Sequence, residues 1–254
     1  MRVGSRLSLM ALGIGLAVAG CGAPQEASDR PDTARDFPEP HRPVSELGAS
    51  QFSTEDKRDS QGEAQKVMDL ASIEPGMTIA DIGAGEGYYT VRLAERVGPR
   101  GRVLAQDIDR GVLERLGRRV DRERLDNVSI ALGAEDDPHL PLESFDRVLM
   151  VHMYHEVGEP YAFLWRLWPS LKEGGKVIVV DIDRPTDRHG IPPGLLSCEF
   201  ERMGYHLEKT EQAPELSGYF AQFRRGATRP DPEEIVPCTG EGDTAKADKA
   251  AVRS

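Results

Sequence analysis

Cysteine is scarce in this chain. Three stand in 254 residues, Cys21, Cys198 and Cys238, and their spacing makes neither a CxxC pair nor a zinc ligand set. Cys198 falls in a predicted helix and Cys238 in a predicted flexible tail. A flexible tail is a poor partner for a covalent staple, so no disulfide is expected. Basic charge is also short, with 32 Lys and Arg against 43 Asp and Glu and a net charge of −11. Such a chain gets no general electrostatic help toward a phosphate backbone, and no nucleic-acid partner is expected. Internal repeats are missing. So is an apolar run long enough to stay in a bilayer as a helix: the best one covers residues 7–20 and is too short.

That short run has its own meaning. Arg2 and Arg6 precede it, and it ends in Val18-Ala19-Gly20-Cys21. A basic start, an apolar stretch and small residues before a cut site read as an export signal. The ending resembles a bacterial lipobox, which implies a signal peptide over residues 1–20 and a membrane anchor through lipidated Cys21. Each buried acyl methylene would contribute about 0.8 kcal/mol to that anchor. Gly22 stands where aspartate would signal inner-membrane retention. The resemblance therefore implies the outer membrane, facing the periplasm. Residues 21–60 are poor in large apolar side chains and broken by Pro31, Pro38, Pro40 and Pro43; they read as a flexible linker. Residues 226–254 read as a disordered tail.

Between the two, over residues 61–225, strand and helix patterns alternate. Apolar runs at 77–81, 102–106, 128–132, 147–151 and 176–180 predict five buried strands. Helical spacing predicts helices after most of them, and Tyr205–Lys209 with Gly218–Phe223 predicts a closing antiparallel pair. Pro160 suits a first helical turn, whereas Pro169 predicts a kink or an early end. The expected fold class is α/β: a Rossmann-like, doubly wound, mostly parallel seven-stranded sheet with helices on both faces. Ligands on such sheets bind beyond the carboxyl ends of the strands, where the strand order reverses.

The chemistry sits at those ends. After the first strand comes Asp81-Ile82-Gly83-Ala84-Gly85-Glu86-Gly87, where glycines allow a tight turn and a close ligand approach. After the second comes Asp107, followed by Ile108; its carboxylate can accept both hydroxyl hydrogens of a ribose. A dinucleotide loop of the form GxGxxG, counted from Gly83, would need glycine where Tyr88 stands. A nicotinamide-dependent oxidoreductase is therefore disfavoured. The GxGxG spacing, with Asp81 before it, resembles the first motif of the class I methyltransferases. Phe145-Asp146-Arg147-Val148 and Leu171-Lys172-Glu173-Gly174-Gly175-Lys176 extend the resemblance, with Glu173 where that family usually has proline. It is nearest to the small-molecule methyltransferases of ubiquinone and menaquinone biosynthesis. The resemblance implies S-adenosyl-L-methionine as cofactor, with Asp81, Gly83, Ala84, Gly85, Gly87, Asp107 and Ile108 around its methionine and ribose. Glu135 and Asp136, after the third strand, would stand beside the adenine, and the sequence does not choose between them.

The segment after the fourth strand, Val151-His152-Met153-Tyr154-His155-Glu156, faces the reacting end. His152, Tyr154 and His155 are the candidate catalytic residues, positioning a small-molecule methyl acceptor or taking its proton. The alternative is that they contact the cofactor or pack the loop. His152, His155 and Glu156 do not have HExxH spacing, and no metal site is assigned. Asp181 and Asp183 after the fifth strand can line the pocket or cap the sheet edge, and His189-Gly190 is placed over the pocket. A second function stays open: a non-catalytic lipoprotein module that binds S-adenosylmethionine or a nucleoside, since that cofactor is made in the cytosol. Oligomeric state is not readable.

Overall fold

The structure, a computed structural model, describes Met1, residues 30–45 and residues 54–239. The expected signal segment after Met1 and the expected anchor Cys21 lie outside the described residues. The core is a seven-stranded sheet in the order β3-β2-β1-β4-β5-β7-β6. Its strands are β1 Thr78–Ile82, β2 Arg102–Asp107, β3 Val128–Leu132, β4 Phe145–Val151, β5 Leu171–Asp181, β6 Tyr205–Ala213 and β7 Gly218–Arg225. The first five pair in parallel. The β5–β7 and β6–β7 pairings are antiparallel, so the sheet is mixed. The order reverses beside β1, which creates the crevice a doubly wound sheet offers a ligand.

Alternation along the strands sends side chains to two faces. Ile79, Leu149, Ile178 and Val180 join one apolar cluster, together with α2 (Glu63–Leu70) and α3 (Tyr88–Val97). Ala80, Val148, Met150, Val177 and Val179 join the other, together with α5 (Pro160–Leu167) and α6 (Pro193–Arg202). Helix α4 (Arg110–Glu123) packs Leu113 and Leu116 against Ala84 and Ala105. Pro169 acts as its chemistry requires: α5 stops at Leu167 and a 3-10 turn, Trp168–Ser170, follows. β5 begins five residues earlier than the apolar run, because Leu171 pairs with Phe145 before the register shifts and Lys176 meets Arg147.

Three expectations are corrected. Residues 31–45 are not a free linker. Ala34 and Phe37 are buried in the α5–α6 cluster, with Phe37 edge-on to Trp165 at 5.6 Å. Arg42 forms a buried pair with Glu199 at 2.7 Å. Helix α1 (Glu55–Ser60) then leads into α2, and its cap Thr54 accepts from the Lys57 amide. Residues 226–239 are not disordered either. Arg229 lies over the Trp165 ring and donates to the Trp165 carbonyl, and Ile235 and Cys238 are buried. Finally, Cys198 and Cys238 form a disulfide. Average polarity hid all three, because a few apolar anchors are enough to seat a short polar segment on a ready-made core.

Candidate cofactor and active site

A cavity of about 510 Å³ opens at the carboxyl ends of the parallel strands. Gly83 and Gly85 after β1, Gln106 and Asp107 at the end of β2, and Ile108 beyond it form one side. Ala134 and Glu135 after β3 and His152, Met153 and Glu156 after β4 form the other. Val44 and Ser45, from the segment once read as linker, close part of the rim.

The glycine loop is built for a close approach. Gly83 has φ +66°, and a Cβ there would come within 3.0 Å of the Met153 side chain. Gly87 caps α3 with φ +90°, and a Cβ there would sit 2.4 Å from Leu116. Gly83 thus makes room for the Met153 side chain on the cavity wall, whereas Gly87 lets α3 and α4 pack; Gly87 does not line the cavity, and neither does Ala84. The Asp107 carboxylate is on the wall and is fixed from behind. Its Oδ2 accepts from the Gly85 amide and its Oδ1 from the Asp109 amide, each at 3.0 Å. A carboxylate held this way keeps lone pairs for two ligand hydroxyls.

Asp81 is placed differently. It is buried under the loop, off the cavity wall, and accepts from the Thr90 hydroxyl at 2.6 Å. Burial pushes its pKa up to about 7; the Thr90 bond opposes the rise and the Asp107 charge adds to it. The two acids after β3 also separate. Glu135 lines the cavity, whereas Asp136 is buried and held by Arg166 at 2.6 Å and by the Thr33 hydroxyl.

Of the three candidate catalytic side chains, only His152 lines the cavity. Burial lowers its pKa, although Asp181 and Glu63 pull the other way, and the imidazole is held neutral. Tyr154 is fully buried, and its hydroxyl donates to Glu199 at 2.8 Å; burial raises its pKa well above the usual phenol range. It braces the loop and does not reach the cavity. His155 is also buried behind the wall, with Nδ1 2.9 Å from Asp181.

Gln106 was missed by sequence reasoning. It is buried near the end of β2, lines the cavity, and its Nε2 has no hydrogen-bond partner among the described residues. A buried polar atom is normally satisfied; this donor packs against Gly133, where a Cβ would come within 1.5 Å of it. The signal in the sequence was a lone amide closing an apolar strand just before Asp107. The donor set fits an adenosine with an amino-acid arm: Asp107 would hold the ribose hydroxyls, and Gln106 and Glu135 would meet polar atoms further along. The glycines would leave room for the sulfonium side.

Comparison with known proteins agrees with this geometry. Residues 79–175 match the methyltransferase domain family. Nocamycin O-methyltransferase of Saccharothrix syringae is 36% identical over 85 residues, 34% of this chain and 30% of that protein. The ubiquinone/menaquinone biosynthesis C-methyltransferase of Shewanella frigidimarina is 29% identical over 120 residues, 46% of this chain and 47% of that protein. The chain thus spans 30% and 47% of the length of these two relatives. The crystal structure of a SAM-dependent methyltransferase from Aquifex aeolicus shares the fold. It has a TM-score of 0.58 and 21% identity, covering 68% of this chain and 97% of that one. The match over residues 79–175 and the shared fold together mark a methyltransferase-like domain.

Proposed function

We propose that the protein transfers a methyl group from S-adenosyl-L-methionine to a small-molecule acceptor. Asp107 carries this reading: a carboxylate fixed by the Gly85 amide on the cavity wall, beside a loop that leaves space for a nucleoside. The cofactor supplies a methyl already activated by its positive sulfur. What the chain must add is alignment and exclusion of water, and alignment alone can be worth ~7–11 kcal/mol. Val44, Met153, Val157 and Phe163 give the cavity an apolar portion for an acceptor's carbon skeleton. His152 presents a neutral imidazole there, able to position an acceptor hydroxyl and to receive the proton it loses. The relatives act on oxygen in one case and carbon in the other, and the acceptor here is proposed only as a small molecule.

The disulfide bears on location. Disulfides persist in oxidising compartments, and Cys198–Cys238 fits the export signal and lipobox-like ending at Cys21. We infer a lipid-anchored protein of the cell envelope. Membrane-fraction mass spectrometry tests this: acylated Cys21 is expected, and an unprocessed or soluble chain would contradict it. Activity is tested by incubating the purified chain with labelled cofactor and an acceptor panel of phenols, quinols and small acids. Transfer that falls at least tenfold in His152→Gln is expected. Binding of the cofactor with no transfer to any acceptor would instead favour a non-catalytic binding module.

A further inference from the structure

The turn after β4 holds a second group of side chains that the methyl-transfer reading does not use. His155 and Glu156 stand on a 3-10 turn, Tyr154–Glu156. His189 follows another, Thr186–Arg188, that the chain reaches after leaving β5. Each of the three offers one ligand atom, and those atoms all lie within 4.8 Å of one another. His155 Nε2 is 3.9 Å from Glu156 Oε1.

We propose that His155, Glu156 and His189 bind one divalent first-row transition-metal ion in the cavity wall, with Asp181 orienting His155. The tautomer of His155 is the first argument. Its Nδ1 lies 2.9 and 3.0 Å from the two oxygens of buried Asp181. A carboxylate accepts, so Nδ1 carries the proton and Nε2 bears a lone pair. That Nε2 is buried and has no hydrogen-bond partner among the described residues, and the same is true of Nδ1 of His189. A carboxylate behind an imidazole whose other nitrogen is bare is the arrangement that raises a histidine's basicity toward a metal.

The donor set chooses the ion. Two imidazoles and a carboxylate suit Zn²⁺, Co²⁺ or Fe²⁺, whereas Mg²⁺ and Ca²⁺ prefer all-oxygen shells. Bonds of ~2.0–2.2 Å put tetrahedral ligand atoms ~3.4 Å apart, so the group must tighten by roughly 1 Å on binding. Three protein ligands leave a coordination position open. Glu156 also lines the cavity, so the ion would sit where an acceptor's oxygen or sulfur can reach it. The preceding segment contributes as well: Ser45 accepts from the His189 amide at 2.9 Å and donates to the Thr186 carbonyl at 2.5 Å, pinning the turn that carries His189.

The site stands on its own geometry and is tested without cofactor or acceptor. The full chain is dialysed against a chelator, then titrated with Zn²⁺ by calorimetry and with Co²⁺ by visible absorption. One ion per chain is expected, with a Co²⁺ spectrum of a nitrogen-containing, low-symmetry site. His189→Ala, at a half-exposed position, and Glu156→Gln should each weaken binding at least tenfold. Asp181→Asn should weaken it about ten- to a hundredfold with all three ligands in place. Circular dichroism checks that each variant is folded. No saturable binding by the unaltered chain would overturn the proposal, as would one-to-one binding that His189→Ala and Glu156→Gln retain at full affinity. An unchanged affinity in Asp181→Asn would overturn the orienting role.

Discussion

A carboxylate sealed beneath a glycine loop costs stability in a pH-dependent way. Asp81 has its pKa pushed from 3.8 up to about 7. Between those values the unfolded chain has released the proton and the folded chain still holds it, so this group lowers stability as pH rises from about 4 to about 7. Above that window the cost is constant, on the order of a few kcal/mol. Asp81→Asn should therefore raise the melting temperature of the cofactor-free protein clearly more at pH 8 than at pH 5, and change it little near pH 3.5; equal effects at all three would refute the assignment. Asp107 acts at the wall itself. Losing two charge-assisted hydrogen bonds at about 1.5–3 kcal/mol each, partly replaced by water, predicts a ten- to hundredfold weaker cofactor affinity for Asp107→Ala. Calorimetric titration reads it.

At the scale of elements, one buried ion pair organises the reacting end. Arg42 donates to both oxygens of Glu199 and to the carbonyls of His155 and Val157, while Tyr154 donates to the same glutamate. The segment before α1, the loop after β4 and α6 are thus tied at one point. Removing one charge leaves the other buried and unpaired, so Arg42→Ala should destabilise by about 3–5 kcal/mol in urea unfolding, and Arg42→Met with Glu199→Met by less. The parallel strands were legible in the sequence because a continuous apolar run bounded by a turn leaves few choices. The sites at their ends were legible because motif residues sit at strand termini. Arg42 was not, since a lone arginine among prolines has no periodicity and its partner lies 157 residues away. Nor was His189 as a neighbour of His155: only the return of the chain after β5 brings them together. Tyr154 and Asp136 looked functional from their positions, and burial with a specific partner gave them a structural role instead.

For the whole molecule, the described segments that flank the sheet, residues 31–45 and 226–239, are stitched to the domain. The disulfide joins α6 to the segment after β7 across 40 residues, and His41 forms a bridge with Thr239. Cross-linking a loop of that length restricts the unfolded chain by roughly 4 kcal/mol in the chain-entropy account. Reduction, or Cys198→Ser, should lower the melting temperature markedly while leaving cofactor affinity near its starting value, because neither cysteine lines the cavity. A loss of affinity equal to the loss of stability would show that the C-terminal segment shapes the site. The central claim, a nucleoside cavity made for S-adenosyl-L-methionine, is tested most directly by calorimetric titration of the full-length, oxidised chain. S-adenosyl-L-methionine and S-adenosylhomocysteine should each bind at one per chain, Asp107→Ala should weaken both, and NAD should give no heat. Binding of NAD with no response to either sulfur compound would contradict the account.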